Sequence, residues 1–532
     1  MNVLFTSSQS YTIKLASLFS EEGWKPVYFF TTPQLESTVQ EHFPDAVTHN
    51  YIDAVKGIPA LHFKELVLEE LDPQVLDLLA SRESIVLSMM DRNDSNSDSF
   101  LYRDRLGFYY YLIQYWQTVL RKLKISVVVF EEEPHQTNDY VLYLVCGVLE
   151  IKTLMTVRTI SNLGILPMEK FETGCLPFLD LYQKAIVDLD PDAPLELPEY
   201  LDIYYKKLTG NYESVLSEHL WDQVDKVKDL KNKPNPSLFW VQLKMFLSKM
   251  SDFSNHYKRL SFILNNEYIS DQKEKGKSIY DSRLGYLQAL IYKRKTIKVK
   301  SNNRDYYISV SIDEIDTSKP YIFCGLQYQP EKSTCPLGGR FVNQILMIEL
   351  IAKNLPAGWN LYVKEHPSQF VFDYTRYGDL FRNQEYYERI MKMPNTYLLS
   401  LKTDVFNVID GSEGVASVTG TICWEAAMRG KLSLNFGHSW LKGCEGIFEI
   451  FTKKDLVNAL RLIKNKHKVN VSKVQVFGKV IDSLGFKAAV GGQSQLEHRQ
   501  ISVGENAQIH FNAYNWLLTN SRPETRPNQI DS

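Results

Sequence analysis

Twice in this chain, short apolar runs rich in β-branched residues empty into polar residues and give way to segments with helical periodicity. The two series are separated by a long stretch without strand signals. This alternation is the strongest constraint on the fold. A run such as Ser126-Val-Val-Val-Phe130 has no polar–apolar alternation, so it reads as a strand buried on both faces, with helices covering those faces. Repeated βαβ units of this kind imply a parallel, doubly wound sheet.

The first series predicts strands at Val3–Thr6, Pro26–Thr31, Ser84–Met90, Ser126–Phe130 and Thr153–Arg158. Helices are expected at Tyr11–Glu22, Phe100–Lys122 and Asn138–Leu149, the last with Val141, Val145 and Val148 on one face. From about Glu196 to Ile297 the pattern turns helical and rich in Lys, Glu and Tyr, with a break at Lys231-Asn-Lys-Pro-Asn-Pro236. Near Pro320 the alternation resumes. Strands are expected at Tyr321–Leu326, Asn360–Lys364, Tyr397–Leu399, Gly414–Val418 and Leu432–Phe436, with helices at Phe341–Lys353 and Ala507–Leu518. The expected division is a Rossmann-like lobe over 1–195, a helical insertion or linker over 196–315, a second Rossmann-like lobe over 316–505, and a final helix with a mobile tail over 506–532. Two such lobes facing across a cleft form the α/β architecture called GT-B.

Composition sets the bounds. The chain has 532 residues, 44% of them hydrophobic, which is enough for two large cores. Its net charge of −3 gives no electrostatic case for nucleic acid. The six cysteines are scattered without a CxxC pair, as expected of buried free thiols in a reducing compartment. The N-terminus reads as a strand rather than a signal peptide, and no window is apolar and long enough for a membrane span, so a cytoplasmic location is expected. A basic cluster around Lys293-Arg294-Lys295, Lys298 and Lys300 reads either as a solvated face or as peripheral contact with the inner membrane. Neither half carries a GxGxxG, which argues against a dehydrogenase.

Four constellations carry chemistry, all at expected strand ends. The run Leu361-Tyr-Val-Lys-Glu-His-Pro367 delivers Lys364 and His366 to the C-terminal edge of a buried strand, where an imidazole and a point charge can hold a leaving phosphate. The turn Thr419-Gly420-Thr421 leads into a helix, with Gly420 for close backbone approach, Thr421 as a cap and Glu425 one turn on, placed for ribose hydroxyls. The loop Gly325–Gly339 overhangs the cleft with Gln329 and Glu331. In the first lobe, Glu131-Glu132-Glu133-Pro134-His135 places three adjacent carboxylates at a strand end, so one is expected to have a raised pKa and to act as a base. Glu133 is the first choice and Glu132 the second, with His135 beside them; Asp91 and Asp94 are rivals after the neighbouring expected strand. Ser8 and Gln9, following the first strand, are expected on the acceptor side. Each element also has a plain reading: an edge-strand loop, a capped helix, a connecting loop, a solvated acidic turn.

In this order, the Glu-Glu-Pro-His stretch at 132–135, Gln329-Pro330-Glu331, Lys364-Glu365-His366-Pro367 and Thr419-Gly420-Thr421 with Trp424-Glu425 resemble the bacterial capsule polysaccharide biosynthesis family. That family includes Kdo transferases and related transferases of nonulosonic acids. The resemblance covers the second lobe well, the first moderately and the helical middle hardly at all. It implies a GT-B enzyme that takes a CMP-activated acidic sugar such as Kdo or pseudaminic acid and inverts its anomeric centre. By similarity with bacterial sialyltransferases, His366 would hold the CMP phosphate; their serine-rich phosphate loop is replaced here by the Thr-Gly-Thr turn. A growing surface glycan or glycolipid would be the acceptor, with no resident cofactor and no metal. The rival expectations are a UDP- or GDP-sugar transferase, a CDP-polyol phosphotransferase, and a non-enzymatic scaffold of a membrane-associated polysaccharide assembly complex.

Overall fold

A computed structural model describes residues 1–91, 101–160, 163–189, 195–210, 286–370 and 381–521. Side chains at 286–297 and at 493 are outside that description. Asp94, most of the helical middle including the 231–236 break, residues 293–297 of the basic cluster and the expected tail beyond 521 lie outside the described side chains or residues.

Two six-stranded sheets organise the chain. The first contains β1 (Asn2–Phe5), β2 (Lys25–Thr31), β3 (Val47–Asn50), β4 (Ile125–Val129), β5 (Lys152–Arg158) and β6 (Ile165–Met168), in the order β3-β2-β1-β4-β5-β6. The second contains β7 (Tyr321–Gly325), β8 (Asn360–Lys364), β9 (Thr396–Leu399), β10 (Gly414–Ser417), β11 (Leu432–Asn435) and β12 (Ile447–Glu449), in the order β12-β11-β10-β7-β8-β9. Counted from its own first strand, each sheet reads 3-2-1-4-5-6, the Rossmann order. All pairings are parallel except β5 with β6. The reversal of strand order falls between β1 and β4 in one lobe and between β7 and β10 in the other. Every sequence constellation except the His-Pro strand and the Asp91 segment follows one of those four strands.

The central strands are buried because their side chains suit nothing else. Val127, Val128 and Val129 of β4 and Leu361, Tyr362 and Val363 of β8 are all buried. One apolar core runs through both lobes, from Val3 to Leu517, and a second packs on the other face of the second sheet around Phe323, Tyr362, Leu399 and Phe406. The helices Leu176–Val187 and Glu199–Leu208 pack on the second lobe through the helix Val471–Ser483. There Tyr182 and Tyr205 donate to the carbonyls of Lys473 and Gln475, at 3.2 and 3.1 Å. The helix Val503–Asn520 returns to the first lobe. Its His510 stacks on Tyr11 at 4.9 Å, and Tyr514 donates to the Phe130 carbonyl at 3.1 Å.

Three sequence expectations are corrected. Ser84–Met90 is no strand but the end of the helix Pro73–Met90. Its buried residues Leu79, Ile85, Val86, Met89 and Met90 follow helical spacing, and Asp72 caps the start by accepting from the Gln74 amide at 2.9 Å. The short strands β3, β6 and β12 add to the expected set. Lys300 is buried rather than part of a solvated basic face, whereas Lys298 is exposed. All six cysteines are free and buried. Among the described residues, no helix is long and apolar enough to cross a membrane.

Candidate active site

The C-terminal ends of β1 and β4 supply the first-lobe side of the cleft. Beyond β4 the chain passes through Phe130 into three carboxylates, and the structure gives each a different environment. Glu131 is half-buried, and desolvation and the Glu132 charge raise its pKa. Its oxygens accept from the Gly491 amide at 2.8 Å, the Tyr11 hydroxyl at 3.1 Å and the Ser7 hydroxyl at 3.2 Å, contacts that favour its charged form. Burial alone would raise Glu132 too. Lys332, Arg158 and His135 outweigh it and hold that carboxyl at about 2. Glu133 is buried and accepts from the Lys332 ammonium at 3.0 Å. A raised carboxyl is thus present in this triplet, at Glu131, beside the lowered Glu132.

His135 lies beside this group, its Nδ1 3.1 Å from the Glu133 carbonyl. Asp91 caps the end of a helix, not a strand, and pairs with Arg105. That removes the geometric ground for placing it at the cleft. Ser8 and Gln9 are half-buried at the turn into the first helix, and it is their neighbour Ser7 that reaches the acids.

In the second lobe, β8 delivers the 364–367 segment as the spacing predicts. Lys364 is not aimed at a ligand: its ammonium donates to the carbonyls of Ser400 and Leu401, at 3.2 and 2.9 Å. Glu365 is buried and meets the Arg382 guanidinium at 2.5 Å and the Tyr387 hydroxyl at 3.0 Å. Arg382 also donates to Gln329 Oε1 at 2.7 Å, and Gln329 in turn bonds the Val342 carbonyl and Gln344. Gln329 is thus part of an internal polar lattice rather than a group facing the cleft. That lattice braces the strand from which His366 projects. Burial pushes the His366 pKa down to about 4, helped by Lys364 and Arg382 and only partly opposed by Glu365. With its pKa so lowered, the imidazole is neutral at pH 7 in this structure and available as a hydrogen-bonding group. Nδ1 accepts from the Ser368 amide at 3.2 Å, which places the ring proton on Nε2.

The 419–421 turn follows β10. Thr419 donates to the Ser333 carbonyl at 2.8 Å, and its amide donates to Gln327 Oε1 at 3.0 Å. Gly420 is required by local packing, since a Cβ there would lie 2.8 Å from Ser417 Oγ. Thr421 does not cap the helix Ile422–Met428. Its hydroxyl bonds Glu425 at 3.2 Å, and burial raises that carboxyl to about 7. Glu331 is exposed, and its carbonyl anchors the turn that carries Lys332 by accepting from Thr334 and Cys335.

Sequence reasoning did not single out Lys332 and Gln327 within the 325–339 loop, nor Arg382 and Tyr11, whereas Ser7 belongs to the Ser7–Ser10 turn expected on the acceptor side. Only Gln327 had a visible signal, the Gln327-Tyr-Gln329 alternation directly after β7. Lys332 joins the two halves: its ammonium bonds Glu132 and Glu133 across the cleft while its neighbour Ser333 bonds Thr419. That contact shows that the C-terminal edges of the two sheets face each other. The fold is GT-B. A small pocket, with room for about 20 Å³, lies between the lobes, lined by Glu133, Phe171, Phe178, His438, Trp440 and others.

No family model and no curated protein matches the sequence. Among solved structures, the chain is similar to UDP-GlcNAc 2-epimerase from Methanocaldococcus jannaschii, at TM-score 0.23 and 10% identity over 91% of this chain and 100% of that one. It is also similar to KpsC, the β-Kdo 2,4-transferase of Thermosulfurimonas dismutans, at TM-score 0.22 and 13% identity over 35% of this chain and 54% of that one. HepE of Anabaena, solved with UDP-glucose, aligns at TM-score 0.22 and 10% identity over 98% of this chain and all of its own. Likenesses this slight leave function to the site.

Proposed function

We propose that this chain is an inverting, metal-independent glycosyltransferase. It moves an acidic sugar from a CMP-activated donor onto a bacterial surface glycan or glycolipid. The reading is carried by the apposition of the two topological switch points, a carboxylate at the end of β4 held within one side chain's reach of the loop that bonds the 419–421 turn. Nucleotides commonly bind at such switch points in α/β sheets. In this scheme the acceptor hydroxyl enters from the first lobe and gives its proton to Glu133. The phosphate of the leaving nucleotide takes a hydrogen bond from His366 Nε2 and lies against Thr419–Thr421, with Glu425 near the ribose. The choice of CMP rests on the resemblance of the sequence motifs to transferases of Kdo and nonulosonic acids.

Incubation with CMP-Kdo, CMP-sialic acid and CMP-pseudaminic acid and candidate acceptors, with CMP release as the readout, tests this directly. A thermal-shift series with CMP, CDP, UDP and GDP accompanies it, since a ligand specific to the folded state raises the midpoint. CMP release with a midpoint raised by CMP supports the proposal. A midpoint raised only by UDP or GDP moves the enzyme to another donor. No shift with any nucleotide points to a scaffold.

A further inference from the structure

We propose that Lys332 is a switchable cation: from the contacts it makes with Glu132 and Glu133 it transfers to the donor phosphate, freeing Glu133 to act as the base. This rests on the transferase reading above but adds a residue and a sequence of events to it.

The charge inventory leads to Lys332. A leaving phosphate needs positive charge as the glycosidic bond breaks. His366 supplies none at neutral pH. The Lys364 ammonium is held by two backbone carbonyls, and Arg382 is matched by Glu365 inside the lobe. Of the cations in these strand-end constellations, Lys332 has its backbone and its ammonium fixed to different lobes. Its stretch is tied to the second lobe, because the Ser333 carbonyl accepts from Thr419 and a Cβ at Gly338 would lie 2.4 Å from the Thr334 carbonyl and 3.0 Å from Val418. Its side chain crosses to the first lobe, where the charged groups around it are Glu132, Glu133 and Arg158, with His135 beyond Glu132. A long, flexible ammonium in this position can turn from the acids to a phosphate at the 419–421 turn without moving its backbone.

The consequence for catalysis follows from electrostatics. A carboxylate paired with an ammonium is a poor base, because the pairing favours its charged, unprotonated form. Once the ammonium engages phosphate, the Glu133 oxygen that accepted from Lys332 is open to the acceptor hydroxyl. The acceptor oxygen then bonds the anomeric carbon and its proton passes to Glu133. The bond from that carbon to the phosphate oxygen breaks with its electron pair on the phosphate. Lys332 stays protonated throughout. Base activation is thereby tied to donor occupancy.

The test compares calorimetric binding of CMP with that of cytidine, which lacks phosphate, to full-length protein. Lys332→Met is expected to weaken CMP about 10-fold or more, the range for losing one charge-assisted contact. Cytidine should be unaffected, and Lys332→Arg should restore most of the loss. Because Lys332→Met leaves two acids unmatched and can harm folding, the double variant Glu132→Gln/Glu133→Gln supplies the second arm. Freed from its acids, Lys332 should then bind CMP several-fold more tightly with cytidine unchanged. A purely structural strut predicts the opposite, weaker binding of both ligands when the bridge is removed. Equal CMP and cytidine responses in either variant overturn the proposal. If wild type ignores CMP but binds UMP, the same comparison is run with UMP and uridine, so that failure of the CMP assignment is kept apart from failure of the switch. Wild type that binds none of them removes both.

Discussion

In the proposed reaction a neutral His366 would donate a hydrogen bond to the leaving phosphate without bringing charge to it, a geometric contribution. The Ser368 amide fixes the tautomer and the Glu365–Arg382 pair behind it fixes the strand end. Replacing His366 by Ala should lower turnover by ~10²–10³-fold, the range for one preorganised transition-state contact, with the thermal midpoint nearly unchanged. Steady-state kinetics at saturating donor decide it, and unaltered turnover would take the imidazole out of the mechanism. Glu133 gives a sharper contrast. Glu133→Gln should abolish transfer without weakening nucleotide binding, whereas Glu131→Gln should reduce stability first, because that side chain collects bonds from Ser7, Tyr11 and Gly491. Full activity in Glu133→Gln would shift the base to a neighbouring carboxylate.

Elements were legible where a single period dominated. The runs at 126–130, 360–364 and 414–418 are apolar on both faces, and each emerged as a central parallel strand within a residue of its expected bounds. Ser84–Met90 shows the failure mode. A short apolar run is compatible with a buried strand or a helix segment, and only its upstream context decides. Here the deciding signal is Asp72-Pro73, a cap followed by a residue preorganised for the first helical turn. Asp72→Ala should therefore destabilise the fold by about 1 kcal/mol, the usual cost of a lost N-cap, read as a lower urea midpoint. No change would mean that packing alone holds that helix. The site was half legible for a related reason. Strand ends can be read from local sequence, and they placed His366, Glu133 and the Thr-Gly-Thr turn. Partners distant in the chain cannot be read so: Arg382 completes Glu365, Lys332 completes Glu133, and a helix starting at Val503 supplies the ring that stacks on Tyr11.

At the scale of the whole molecule, burial of titratable groups sets how stability varies with pH. His49, His366, His438 and His510 are each pushed down to about 4, burial being the largest cause in every case. The unfolded chain protonates them below about pH 6.5 while the folded one does not, so their contribution is present above that pH and is lost on acidification toward 4. Asp139 and Glu425, raised by burial to about 7, act in the other sense, as does Glu131: the folded chain keeps protons that the unfolded chain releases above about pH 4.5. Four groups oppose three. Near pH 5.5 the four imidazoles should outweigh the carboxyls, so the unfolded chain holds more protons and stability falls on acidification by roughly 1.4 kcal/mol per pH unit for each proton of difference, whereas near pH 7 the opposing sets come closer to balance. Urea unfolding at pH 7 and pH 5.5 measures this. His510→Gln offers the control, because an amide can still donate to the Ala489 carbonyl that the ring now meets at 3.0 Å but cannot take up a proton. The acid-side slope should fall by about one proton's worth in that variant. An unchanged slope would mean that His510 is already protonated in the folded chain, and with it that the stacked contact between the last helix and Tyr11 tolerates a charge.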